Sequence, residues 1–148
     1  MLDQANVPSV IDADIEVDVS GDNDFAVSTD IKADMTALDV SGGDFTWEQI
    51  ATWAGPLVGV GPQNVDVWTL TQVYSDGETE DVWETLKDAE GQDAAIRYVP
   101  KGDTAGNRRH TLTGRLVQVT NPTPAGNQTS WQYTSIFVGT VDHEEITA

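Results

Sequence analysis

Residues 11–19 read Ile-Asp-Ala-Asp-Ile-Glu-Val-Asp-Val, apolar at every odd position and acidic at every even one. Successive side chains of a β-strand point to opposite faces, so this run predicts a half-buried strand. One face packs on a core. The other carries Asp12, Asp14, Glu16 and Asp18, with same-face neighbours about 6.5–7 Å apart. Like charges at that spacing cost stability, although salt screens them. Such a row suits a surface that stays wet or repels an anion.

The same imbalance runs through the chain. Acidic residues outnumber basic ones 25 to 7 over 148 residues, a formal charge of −18. That charge disfavours nonspecific binding to nucleic acid or to anionic membranes. It is unevenly placed: residues 1–50 hold twelve acids and one base, Lys32, whereas residues 94–141 hold Arg97, Lys101, Arg108, Arg109 and Arg115 against Asp103 alone. These five form a candidate basic face, which on one copy meets the acidic face of another, or else the acidic surface is simply solubilising. Cysteine is absent, which excludes disulfides and thiolate metal sites. No apolar run approaches the roughly 18 residues of a membrane span. The start, Met-Leu-Asp-Gln-Ala-Asn, lacks the features of a signal peptide, so a cytosolic product is expected.

A single domain long enough to bury a core is expected over 11–141, with arms at 1–10 and 142–148. A turn follows the acidic strand at Ser20–Asp24, and weaker strands are read at Phe25–Val27 and Ile31–Val40. Residues 41–64 read as a long Gly/Pro-punctuated loop that nonetheless carries Phe45, Trp47, Ile50, Trp53, Leu57 and Val58. Thr46 with Gln49 three residues on resembles a capping box, predicting a short helix over Trp47–Trp53. A connection this long and apolar is usually functional, and its tryptophans suit a protein–protein anchor or a carbohydrate platform. Beyond it, Val65–Tyr74 predicts a strand, 80–90 an amphipathic helix stopped by Gly91, Ala94–Val99 a strand, and Arg109–Thr120 and Trp131–Val141 two long strands. The fold class is therefore mainly β: an antiparallel β-sandwich or a curled sheet with one flanking helix and a long inter-strand loop.

Catalytic patterns are weak. No Gly-x-Ser-x-Gly elbow occurs, and with 25 acids a nearby carboxylate pair carries no information about glycosidase chemistry. Asp14, Glu16 and Asp18 have the one-three-five spacing of a calcium loop, but Val19 stands where its glycine belongs and Phe25 where its closing Glu belongs. Neither His110 nor His143 has a second ligand at metal spacing, so no metal, no cofactor and no enzymatic activity are expected.

The block from Trp68-Thr-Leu-Thr-Gln-Val-Tyr to Trp131-Gln-Tyr-Thr-Ser-Ile-Phe-Val-Gly resembles the tail tube (major tail) proteins of long-tailed bacteriophages. Its order is a strand, the helix Val82-Trp83-Glu84-Thr85-Leu86, the strand Ala95-Ile96-Arg97-Tyr98-Val99, then Leu112-Thr113-Gly114-Arg115-Leu116-Val117 and a last alternating strand. The resemblance covers residues 65–141 well and the first 64 loosely. It implies a β-sandwich with a flanking helix, six copies to a ring, and stacked rings forming a tube in the virion, assembled in the host cytoplasm, through which DNA passes.

Partners on this reading are copies of the chain and other tail proteins at the tube ends. Asp12, Asp14, Glu16 and Asp18 become candidate lumen-lining residues, because a lining without Lys or Arg does not retain phosphates. Segment 41–64 and the arms become candidate bridges between copies. Alternatives are a tail terminator or head–tail connector ring, or a carbohydrate-binding β-sandwich using Trp47 and Trp53.

Overall fold

The computed structural model describes residues 12–74, 82–102 and 104–147. Ten strands and one α-helix follow in the order β1 (Asp14–Asp18), β2 (Thr29–Asp30), β3 (Met35–Gly42), β4 (Phe45–Thr52), β5 (Gly55–Gln63), β6 (Asp66–Val73), α1 (Val82–Asp88), β7 (Asp93–Val99), β8 (Arg108–Val119), β9 (Thr123–Pro124) and β10 (Trp131–Glu145). A 3-10 turn, Lys32–Asp34, precedes β3. Of the two expected architectures the curled sheet is the one found. Eight strands form one antiparallel half-barrel in the order β2-β1-β7-β8-β10-β6-β3, with β9 beside β10, while β4 and β5 form a separate two-stranded ribbon.

Alternation builds this sheet. Ile15 and Val17 of β1 stand opposite Tyr98 and Ile96 of β7, and Ile96 stands opposite Leu112 of β8. Phe137 of β10 lies between Leu116 of β8 and Trp68 of β6, and Leu70 faces Leu38 of β3. These residues line the inner face and make the core. The open side of the curl is covered by α1 and the turn after it, which bury Leu86 and Ala89. Three polar contacts hold the helix on β8: Trp83 Nε1 donates to the Thr120 carbonyl at 3.0 Å, Lys87 Nζ to the Val119 carbonyl at 3.0 Å, and Val119 N to Glu90 Oε2 at 2.6 Å. Gly91, at φ +84°, ends the helix in the left-handed conformation that glycine adopts without strain, and its N–H donates to the Leu116 carbonyl at 2.6 Å.

Three expectations change. Trp47–Trp53 is not helical. Thr46 Oγ1 donates to the Pro62 carbonyl across the ribbon at 3.1 Å instead of capping a helix, and the β-rich partner 55–63 pairs with 45–52 through a two-residue tip, Trp53-Ala54. The 41–64 loop is thus an ordered hairpin. The expected C-terminal arm is also strand as far as Glu145, because Asp142, His143, Glu144 and Glu145 pair with Thr111, His110, Arg109 and Arg108. The strand read at Phe25–Val27 is a bend, and pairing begins only at Thr29. The expected N-terminal arm 1–10, the first residues of 80–90 and the turn at Ser75-Asp76-Gly77 lie outside the described residues.

Candidate assembly interface

The ribbon is the continuation of the β3–β6 hairpin past a bend. Gly42 and Gly43 adopt φ +82° and +75° there, and a Cβ on Gly42 would run into the Val65 carbonyl oxygen. Beyond the bend Asn64 N donates to the Asp44 carbonyl at 2.7 Å and Gln63 Nε2 to the Gly43 carbonyl at 2.7 Å, so the ladder resumes at once. Every residue of β4 is exposed. Trp47 and Val60 are a cross-strand pair, as are Ile50 and Leu57. Phe45, Trp47, Ile50, Leu57, Val58 and Val60 all stand in solvent, and Trp53 at the tip is fully exposed at 109%. Glu48 is the only charged residue between 45 and 63, in a chain of net charge −18. Two-stranded hairpins are marginal in water by themselves, and an apolar ribbon with one charge on an acidic protein has the composition of a buried contact.

The acidic strand is not an open row of carboxylates. Asp18 is completely buried. Its Oδ1 accepts from Ser20 N at 2.9 Å and Ser20 Oγ at 2.6 Å, and its Oδ2 accepts from Phe25 N at 2.8 Å. Burial opposes its charge, yet the bonds from Ser20, Phe25 and Asp24 outweigh that cost and hold its carboxyl below the usual Asp range. Asp18 therefore organises the 19–25 turn and is withdrawn as a lumen-lining residue. Glu16 is ion-paired with Arg97 and accepts from Ser28 Oγ at 2.7 Å. Asp14, Glu16, Asp30 and Arg97 line a shallow cleft on the outer face, and Asp12 stands exposed before β1.

Nor do the five basic residues form one free basic face. Register sets Arg97 opposite Glu16, Arg115 opposite Asp93 and Arg109 opposite Glu144. The last two pairs close at 3.4 Å and 2.6 Å. Arg97 also lies over the Phe25 ring, 4.2 Å from its centroid. Arg108 stands opposite Glu145, and Lys101 sits in the β7–β8 loop. Three of the five bases are thus paired with facing carboxylates, of which Glu16 alone comes from the acidic first fifty residues. Sequence spacing also concealed the histidines, since pairing of β8 with β10 sets His110 and His143 directly opposite each other.

An antiparallel half-barrel closed by one short helix and extended by an apolar ribbon defines the class of fold. Within it, the chain is similar to the anti-feeding prophage cap, a tube-terminating cap, with a TM-score of 0.61 and 14% identity over 99% of this chain and 95% of that one. It is similar to the sheath/tube terminator of an extracellular contractile injection system, PVC, in the extended state, with a TM-score of 0.61 and 15% identity over 92% and 95% of the two chains. It is also similar to a chain of the PVC sheath-tube complex, with a TM-score of 0.61 and 13% identity over 99% and 100%. At these identities the likeness is one of fold. No protein-family model and no curated protein sequence matches the chain.

Proposed function

We propose that the chain is a non-catalytic structural subunit of a tail-like injection tube, and that it terminates or caps the tube as a ring of identical copies. The observation that carries this reading is the near end-to-end fold overlap with a tube-terminating cap. It displaces the tail tube of long-tailed phages, which the sequence resembles, as the first expectation. The ribbon supplies the means of association: Trp47, Ile50, Trp53, Leu57 and Val58 pack against a neighbouring copy or an adjoining tail protein and leave water. DNA, where it passes, meets a chain of net charge −18 and is not retained. Asp12 and Asp14 remain the acidic residues suited to line such a channel, Glu16 being paired with Arg97.

A second reading, a tube subunit whose rings stack, is favoured by the equal likeness to a chain of the sheath-tube complex. Electron microscopy of the purified protein separates the two. Discrete rings that do not elongate support the terminator, and tubes support the stacking subunit. A monodisperse monomer at millimolar concentration, in low and high salt and with no rings, overturns both.

A further inference from the structure

We propose that His110 and His143 form a two-imidazole chelate for a borderline divalent transition-metal ion such as Cu2+, Ni2+ or Zn2+. The two residues stand directly opposite each other on β8 and β10. Their Nδ1 atoms face one another at 2.5 Å. One ring donates its Nδ1–H to the Nδ1 lone pair of the other; with that proton moved to Nε2 both Nδ1 lone pairs face the same point, and imidazole nitrogen is a usual ligand of these metals. Imidazole nitrogen lies about 2.0–2.1 Å from zinc, so two nitrogens on one ion sit roughly 3 Å apart. An opening of about half an ångström by side-chain torsion reaches that spacing from the observed one.

The site is preorganised. The His110 ring lies on Tyr98 of β7, with centroids 4.9 Å apart and planes inclined by 32°, and Tyr98 in turn packs against the buried Trp68 ring at 5.1 Å. The His143 ring meets His110 edge-on at 4.8 Å. The neighbouring Arg109–Glu144 ion pair pins the two strands in register beside the pair. His143 is exposed, so water has room to complete the coordination sphere, as it must: among the described residues no group of three His, Cys, Asp or Glu side chains converges on one point. Nitrogen ligands select against Ca2+ and Mg2+.

Protons compete for the same lone pairs. The groups around the pair are Tyr98 on β7, Arg108 and Arg109 on β8, and Asp142, Glu144 and Glu145 on β10. Burial, followed by the His143 and Arg108 charges, lowers the His110 pKa below the ordinary histidine range.

The test is calorimetric titration of tag-free protein with the chlorides of Cu2+, Ni2+ and Zn2+ at pH 7.5, joined to electron paramagnetic resonance of the Cu2+ form. The proposal expects one ion per chain, nitrogen coupling in the Cu2+ spectrum, at least tenfold weaker binding in His143→Ala and in His110→Gln, and loss of binding at pH 5. Circular dichroism verifies that the variants are folded, and the exposed position of His143 makes His143→Ala the safer of the two. Absence of binding at millimolar metal, or binding unchanged in the double variant, overturns it.

Discussion

Glu16 and Arg97 are directly opposite residues of β1 and β7, and their side chains form an ion pair on the outer face of the sheet. The same arrangement recurs at the next two junctions, with Asp93 opposite Arg115 and Arg109 opposite Glu144. Opposite charges at facing positions stabilise a register, and a one-residue slip would break each pair while moving the apolar set to solvent. The Glu16 and Arg97 side chains are 25% and 20% exposed, so solvent screens this pair only in part. A double-mutant cycle with Glu16→Gln and Arg97→Met, followed by urea denaturation, is expected to give a coupling of about 1 kcal/mol that shrinks in molar salt. A coupling of zero in low salt would remove the pair from the forces that set register.

Asp18 makes stability depend on acid. Its folded pKa is lowered, so its contribution is fully present above the unfolded value of 3.8 and is lost as pH falls through the folded value. Thermal melts of the wild type are expected to lose stability below about pH 4. Asp18→Ala is expected to be less stable by about 2 kcal/mol or more at pH 7, and to show a flatter profile in that window. Equal acid sensitivity in the variant would assign the effect to other carboxylates.

Gly114 and Gly139 face each other across β8 and β10. A Cβ on Gly139 would meet the Thr113 carbonyl oxygen, and one on Gly114 the Val138 carbonyl oxygen, both backbone atoms with no side-chain freedom to yield. Gly139→Ala is therefore expected to cost about 3 kcal/mol or more in chemical denaturation. Gly126→Ala, whose Cβ meets open space, is the control and should stay within about 0.5 kcal/mol.

The ribbon separates folding from assembly. Trp47 is 71% exposed and Trp53 fully so, and neither touches the core cluster. Trp47→Ser with Trp53→Ser is expected to leave the monomer's denaturation midpoint within about 0.5 kcal/mol of wild type while abolishing rings in electron micrographs. Rings formed as readily by this variant would move the contact elsewhere on the molecule.

Much of the sheet was legible because its signal is local. Strict alternation at 14–18 and looser alternation at 66–73 and 131–141 announce strands with one buried face, and Gly91 announces the end of α1. The ribbon was misread because Thr46 and Gln49 carry a helix-start pattern, whereas the partner that wins them lies across a tip in 55–63. Asp18 looked like its exposed neighbours because alternation reports a face and not the turn donors that Ser20 and Phe25 bring to it. The basic residues looked like a free face, and the histidines unrelated, because pairing partners 81 and 33 residues apart in the chain are set by strand order alone.

Because β3 passes through Gly42–Gly43 into β4, and β5 passes through Asn64–Val65 into β6, the ribbon and the central sheet share two unbroken backbones. A pull on Trp53 would travel as tension along those strands to Trp68 and Leu70, which are buried in the core. The projecting end is a lever with its fulcrum at two glycines, and load borne there would be felt as torque on the half-barrel.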